Sequence, residues 1–449
     1  MRPMTSFPAK GPERGRLRHP WLLVWAACTG LCANAAWSQT EATAPPGDAA
    51  PQDATAPREV DTSAYQQRID STTQQFGKNS LPTAEAYSDL ADAQRHAGQH
   101  ELAAQNYMAA VEIYRAIDGP FTPLAIPLLL NLGDNYREAH EGANAVTAYT
   151  EARTVNRRIY GLLNEAQLPM LDKLSATLLE LNRPVEAEAQ QVEALRLAER
   201  AWPPESEEGL AAVFKYAAWL HDRGLFQFER DQYDRARRII EDHYGKKDVR
   251  LVTPLLGIGN SFRSQRTPDG QGIGALQEAL AILVAQPTKD ALAVATALRD
   301  LGDWQVAFDR IGYSGAEYRR AWQLLDEVQY GDRLRSEWFT GPVFVLREPI
   351  VMRGLSEDPN APNGHVLVRF DLDRNGLTSN VTIIESEPAG LMDEAVSRQI
   401  KRSRFRPQMA DGEVVGGEGL GLRLTFQYKP AAEAGNDDAS KEHKRSRRK

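Results

Sequence analysis

The strongest constraint on how this 449-residue chain can fold is a pattern that returns every 42 residues. Each copy contains two segments whose apolar residues recur three and four positions apart, which is typical of amphipathic helices. Glycines that would end the second segment stand on the same lattice, at Gly77, Gly119, Gly161 and Gly245. One helical hairpin cannot bury its apolar face alone, so the pattern predicts about six hairpins stacked as an α-solenoid over residues 61–335.

The copy at residues 126–167 shows the pattern most clearly. Leu132 and Tyr136 share one face of its first predicted helix, and Tyr149 lies on the second, with the small residue Gly133 where the two backbones approach. This order of large and small residues resembles the tetratricopeptide repeat, in the long form of the kinesin light chains. That form is longer than the usual repeat of about 34 residues. The resemblance implies a mainly α fold that holds other proteins and is not an enzyme.

The first 38 residues differ from the rest of the chain. Three arginines between positions 14 and 18 precede an apolar run at 21–36, which small residues close. This order predicts a secretory signal peptide over residues 1–38. An uncleaved membrane anchor is the alternative, although a run of about 16 residues is short for a membrane span. Both cysteines, Cys28 and Cys32, lie in this segment, so a cleaved chain would have no thiol chemistry.

The C-terminal quarter has a different periodicity. From residue 343 the apolar positions alternate, and residues 365–372 and 377–386 are predicted strands joined by an Asn-Gly turn. A helix at 391–401 and a last strand at 420–428 complete a small α+β domain with an antiparallel sheet over residues 340–430. The flanking segments 39–60, rich in Pro and Ala, and 431–449, polar and basic, are predicted to be a disordered linker and a disordered tail.

This region resembles the C-terminal domain of TonB, which couples the inner membrane of Gram-negative bacteria to outer-membrane receptors. The residues that carry the resemblance are Gly364, Val366, Val368, Phe370, Gly376, Leu377, Val381, Ser386, the run Leu391–Ala395, the run Arg404-Phe405-Arg406-Pro407, Phe426 and Tyr428. The resemblance implies a domain that binds peptide or receptor segments. Together with the predicted signal peptide, it favours an exported chain in the periplasm. If the apolar run at 21–36 stays uncleaved, the chain would instead be anchored in the inner membrane and face the periplasm.

The sequence contains few motifs that are typical of a metal site or an active site. Asp371-x-Asp373-x-Asn375-Gly376 copies half of a calcium loop, but Thr382 stands where a bidentate Glu is expected, so a hairpin turn is the better interpretation. His96 and His100 lack the His-Glu-x-x-His context of a zinc site. No nucleophile with an adjacent base is recognisable, and a net charge of −8 argues against nucleic acid. We therefore expect no catalytic residue, no metal and no cofactor.

Two surfaces are candidates for binding. In tetratricopeptide proteins the first helices line a groove, and this resemblance places a peptide groove at twelve positions of the chain. They are Asp92, Arg95, His96, Leu130, Asp134, Arg137, Glu138, Phe214, His221, Asp222, Arg299 and Asp303. The alternative is that Asp92 with Arg95, and Asp134 with Arg137, are ordinary ion pairs three residues apart on a helix.

The second candidate is the last predicted strand, with Leu422, Leu424, Phe426 and Tyr428, where an extended peptide could add to the sheet. The alternative is that this strand is covered or pairs with another copy. Taken together, the sequence favours a periplasmic, non-enzymatic scaffold with protein or peptide partners, such as segments of outer-membrane receptors. A membrane-anchored energy transducer of the TonB type is the alternative.

Overall fold

The computed structural model describes residues 61–308, 314–350, 355–356 and 361–429. The predicted signal peptide, linker and basic tail lie outside the described residues. The solenoid begins with a single helix, α1 (Ser63–Phe76), followed by six helical hairpins within the described part. Their helices are α2 (Leu81–His96), α3 (His100–Asp118), α4 (Ala125–Glu138), α5 (Gly142–Tyr160), α6 (Leu168–Glu180), α7 (Pro184–Ala201), α8 (Glu207–Asp222), α9 (Phe226–Tyr244), α10 (Val252–Ser264), α11 (Gly270–Val284), α12 (Ala291–Ala307) and α13 (Ser314–Leu324).

The hairpins close because small residues stand where the two helices meet. A Cβ atom added to Gly133 of α4 would lie 2.3 Å from the ring of Tyr149 on α5, so only glycine allows this approach. The predicted glycine stops are also confirmed. Gly119 and Gly161 end α3 and α5 with φ angles of 88° and 87°, a region that L side chains rarely adopt. The predicted six-hairpin solenoid is therefore the observed fold.

The helical part continues beyond the predicted end of the repeat pattern. Helix α14 (Gly331–Phe339) follows α13 and a short 3₁₀ turn, Leu325–Glu327. The repeat pattern predicted a solenoid that ends at residue 335 and gave no separate helix here. The helix packs Trp338 and Phe339 into the same core as the last hairpin.

The C-terminal region forms the predicted α+β fold. Its elements are β1 (Phe344–Leu346), β2 (Asn363–Leu372), β3 (Thr378–Glu387), α15 (Asp393–Arg402), β4 (Arg404–Phe405), β5 (Gln408–Ala410), β6 (Glu413–Val415) and β7 (Gly417–Gln427). The main sheet is antiparallel with the order β3-β2-β7, and two short pairs, β1 with β4 and β5 with β6, accompany it. Helix α15 covers one face of the sheet, where Val396 and Ile400 join Val366, Val368 and Phe370 in a core.

The hairpin between β2 and β3 is the turn that the sequence predicted. The Asp373 carboxylate accepts the backbone N–H groups of Asn375 and Leu377 at 2.8 and 2.9 Å. These bonds satisfy the turn without an ion. Among the described residues, no group of three or more His, Cys, Asp or Glu side chains is arranged to bind a metal ion.

The solenoid and the sheet domain share a hydrophobic core. One cluster of buried residues runs from Leu210 on α8 through α10, α12 and α13 into α14, and it includes Val345 of β1 and Met409 of β5. The C-terminal region is therefore packed onto the last hairpins of the solenoid.

Candidate functional site

The first helices of successive hairpins lie side by side and are joined by ion pairs. Arg95 on α2 binds Glu138 on α4 through two bonds of 2.9 and 2.6 Å, and Arg137 on α4 binds Glu180 on α6 at 2.6 Å. Both pairs join residues 43 positions apart. The alternative of ion pairs three residues apart, Asp92 with Arg95 and Asp134 with Arg137, is not what these side chains form. We call the surface formed by α2, α4, α6, α8, α10 and α12 the first-helix face.

Aspartates on this face receive a hydrogen bond from a tyrosine of the same hairpin. The Tyr149 hydroxyl donates to Asp134 at 2.6 Å, the Tyr318 hydroxyl donates to Asp303 at 2.8 Å, and Tyr107 donates to Asp92. Burial raises the pKa of Tyr149 and Tyr318, and the neighbouring carboxylates raise it further. The three hydroxyls therefore act as donors that fix the orientation of the carboxylates.

The predicted groove is closed at its C-terminal end. Arg406, just after β4, donates from Nε and Nη2 to the two carboxylate oxygens of Asp303, both at 2.8 Å. Asp303 and Arg406 are only 2% and 8% exposed. Burial would by itself raise the pKa of Asp303, but the Arg406 guanidinium lowers it to about 2. The carboxylate is thus ionised and held in a bidentate pair.

Arg299 is also covered. Its guanidinium lies over the Trp338 ring of α14 at 4.4 Å and binds the adjacent Asp300 at 2.7 Å. The prediction that Arg299 and Asp303 line an open groove is therefore wrong, because α14 and the segment after β4 occupy this part of the first-helix face. Two more arginines complete the contact. Arg263 donates to the Val345 carbonyl at 3.0 Å, and Arg266 binds Glu348 at 2.5 Å.

The other groove residues lie on hairpins one to four, outside this contact. Asp92, Arg95 and Asp134 are half-buried, whereas His96, Arg137 and Glu138 are exposed. Phe214 and His221 are half-buried as well, and they contact their own hairpin. The Phe214 ring lies 6.3 Å from that of Tyr233, and His221 Nδ1 is 3.0 Å from Glu229. Two separate strips therefore remain on the first-helix face. One is polar and lies on α2 and α4, and the other, with Phe214 and His221, lies on α8.

The predicted strand-addition edge is only partly accessible. Strand β7 does lie at the edge of the main sheet, but the Leu424 and Phe426 side chains are buried in the domain core. At its C-terminal end, the Ser356 N–H donates to the Gln427 carbonyl at 2.9 Å, and Leu355 forms a bridge with Tyr428. The alternative that the strand is covered therefore holds at this end.

A family model matches part of the C-terminal region. Residues 359–428 match the family model described as Gram-negative bacterial TonB protein C-terminal. This region resembles the TonB C-terminal domain, as the sequence predicted. Domains of this kind and repeat solenoids mediate contacts between proteins and are not catalytic folds. No curated protein matches the chain significantly.

Several solved structures are similar to parts of this chain. One is BtubC (BKLC) from P. vanneervenii, with 14% identity over 66% of this chain and 94% of that chain and a TM-score of 0.29. Another is a putative kinesin light chain of Podosopora anserina with nearly identical TPR-like repeats, at 11% identity, 46% and 98% coverage and a TM-score of 0.36. A tetratricopeptide repeat protein from Parabacteroides merdae has 16% identity, 62% and 90% coverage and a TM-score of 0.30.

Sequence reasoning missed the residues that join the two parts. The sequence singles out Arg406 only as part of the TonB-like run, and no pattern in it points to Trp338 or Arg263. The one available signal was Asp303 itself, an acidic residue on a first helix that the repeat pattern correctly placed on the first-helix face. Its partner lies 103 positions away, beyond the reach of any periodicity.

Proposed function

We propose that this protein is a periplasmic scaffold that binds segments of other proteins on the first-helix face of its first four hairpins and through its TonB-like domain. The observation that carries the proposal is the occupied end of that face. There the chain binds a segment of itself, with Arg406 on Asp303 and Trp338 against Arg299. A surface that accepts an extended arginine-bearing segment at one end is suited to accept others along its length.

The periplasmic location is supported by the order of charge and apolar residues in the first 38 positions and by the match to a Gram-negative envelope domain. No helix in the described part of the chain is long and apolar enough to cross a membrane. The apolar run at 21–36 lies outside that part. If this run is retained as an anchor, the TonB-like domain favours the second candidate, a membrane-anchored transducer.

The first experiment determines the N-terminal residue of the protein recovered from its native cell envelope. A start near residue 36 or 39 in the soluble periplasmic fraction is the expected result. An intact Met1 or Met4 in the membrane fraction would instead establish the transducer.

The second experiment tests the binding face by crosslinking in the same cells. Arg137→Ala removes a side chain of the first-helix face that pairs with Glu180. Arg235→Ala is its matched control, because Arg235 is equally exposed and pairs with Glu199 between two second helices, α9 and α7. We expect the crosslinked partners of the wild type to be lost with Arg137→Ala and kept with Arg235→Ala. The same partners with both variants would contradict the proposal.

A further inference from the structure

Three first helices carry an aspartate at one position of the repeat, fifteen residues before a tyrosine. The pairs are Asp92 with Tyr107, Asp134 with Tyr149 and Asp303 with Tyr318. In each pair the tyrosine hydroxyl donates to one carboxylate oxygen. A carboxylate has about four acceptor positions, so each aspartate keeps the capacity to bind a second donor.

Two of the three aspartates use that capacity for a cation. Asp134 binds the Lys173 ammonium at 2.5 Å, and Lys173 comes from the next first helix, α6. Asp303 has no following hairpin, and the Arg406 guanidinium takes the corresponding role from the sheet domain. The Asp-Tyr pair is thus a recurring receptor for a basic side chain.

The aspartate of the first hairpin lacks this cation. The residue of α4 that stands 42 positions before Lys173 is Asn131, which is neutral. Arg95, the arginine of α2, bonds Glu138 through Nε and Nη2 and also contacts the Tyr107 hydroxyl, but it forms no ion pair with Asp92. Within the described residues, no salt bridge to Asp92 is formed, although the tyrosine hydroxyl holds its carboxylate as in the other two pairs.

We infer that Asp92, with Tyr107, binds the arginine side chain of an extended segment of a partner protein. The inference rests on the proposed function and names the chemistry of its ligand. Arginine is favoured because its planar guanidinium can bond both oxygens of a carboxylate, as Arg406 does on Asp303. Charges beside the site come from Arg95, which Glu138 neutralises, and from the exposed His96.

The test uses the full chain and a fluorescein-labelled peptide with the sequence of residues 403–409, Ser-Arg-Phe-Arg-Pro-Gln-Met. A second peptide has glutamine in place of both arginines. Fluorescence anisotropy should show that the wild type binds the arginine peptide at least about tenfold more tightly than the glutamine peptide, because a charge-assisted bidentate bond is lost. Asp92→Asn should weaken the arginine peptide by about tenfold, since the amide still accepts the tyrosine bond but carries no charge.

Two further variants separate a binding role from a structural one. Asp89→Asn makes the same change on the same helix, at a residue that pairs with Arg68, and should leave peptide binding unchanged. Asn131→Lys supplies the missing cation from α4, as Lys173 does for Asp134. It should abolish binding of the arginine peptide while the midpoint of thermal unfolding stays the same or rises.

Equal binding of the two peptides by the wild type would overturn the inference. So would unchanged binding by Asp92→Asn or by Asn131→Lys. These outcomes leave the proposed function standing if the crosslinked partners still depend on Arg137. Loss of that dependence, with the peptide results as expected, would contradict the scaffold proposal and not the arginine site.

Discussion

Aspartates at the same position of the repeat contribute differently to stability. Asp134 and Lys173 are 21% and 32% exposed, so solvent screens their ion pair in part and the pair adds at most about 1 kcal/mol. Asp303 is buried together with Arg406. Removing Asp303 would leave the buried Arg406 guanidinium without its carboxylate, a change that costs about 3–5 kcal/mol of unfolding free energy. Removing Arg406 would leave Asp303 with Arg263, at 3.6 Å, and should cost less. The buried pair therefore specifies how the two parts of the chain fit.

The first prediction concerns the acid stability that Asp303 provides. Its pKa of about 2 in the folded protein lies below the ordinary value of 3.8, so the unfolded chain takes up the proton first. The contribution is therefore fully present above about pH 4 and lost as the pH falls toward 2. Urea unfolding of the wild type should lose about 2 kcal/mol more between pH 5 and pH 2 than that of Asp303→Asn.

Asp89→Asn is the control for this pH series, because the Asp89 side chain is 43% exposed and pairs with the more exposed Arg68. This variant should follow the wild-type profile. If Asp303→Asn also followed the wild-type profile, the Asp303–Arg406 pair would not be what controls the loss of stability at low pH.

At the scale of elements, α1 closes the N-terminal end of the stack. Ile69 of α1 is buried against Ala86 and Leu90 of α2, in a small cluster separate from the main core. In a solenoid each hairpin contacts only its neighbours, so the stability of an end depends on its terminal helix. Without α1, the Leu90 side chain would face solvent.

The second prediction is that Ile69→Ala loosens only the N-terminal end. Truncating a buried isoleucine costs about 2–5 kcal/mol where the site cannot collapse. Amide hydrogen exchange should become faster in α2 and α3 and stay unchanged in α12 and α13. The matched control is Val185→Ala, which truncates an exposed side chain at the start of α7 and should change neither region. Faster exchange along the whole solenoid would contradict the nearest-neighbour description.

The helices and strands were largely predictable from the sequence, since periodicities of 3.6 and 2 report which face of an element is buried. Tyr149, Gly133 and Gly161 were placed correctly because each acts within its own hairpin. Helix α14 was missed because its burial depends on contacts with distant elements rather than on a repeat. For the same reason the sequence located Asp303 on the first-helix face but could not show that Arg406 covers it.

At the scale of the whole molecule, the shared core couples the last hairpins to the sheet domain. The buried cluster that contains Leu298 and Tyr318 also contains Phe339, Val345 and Met409. An arrangement of this kind differs from two domains on a flexible linker, which would unfold separately. Hairpins one and two belong to other clusters.

The third prediction is that Arg406→Ala weakens both sides of this contact and nothing beyond it. Hydrogen exchange should become faster in α12, in α14 and in β5, because each borders the Asp303 site. Exchange in α2 to α5 should stay at the wild-type rate. Arg404→Ala, two residues away on β4, is the neighbouring control, since Arg404 is not fully buried. Faster exchange confined to the sheet domain would show that the two parts are stable independently.

The packing of the sheet domain on the sixth hairpin also affects the distance between the two candidate binding surfaces, β7 and Asp92. Because α14 and Arg406 hold the domain against the last hairpins, the stacked hairpins rather than a flexible linker separate β7 from Asp92. A partner with one segment for each surface would bind the second as an intramolecular step, at an effective concentration in the millimolar range when its connecting chain matches the span. A connecting chain too short to reach would lose this avidity entirely. The length of that chain, more than the strength of either contact, would then decide which partners stay bound.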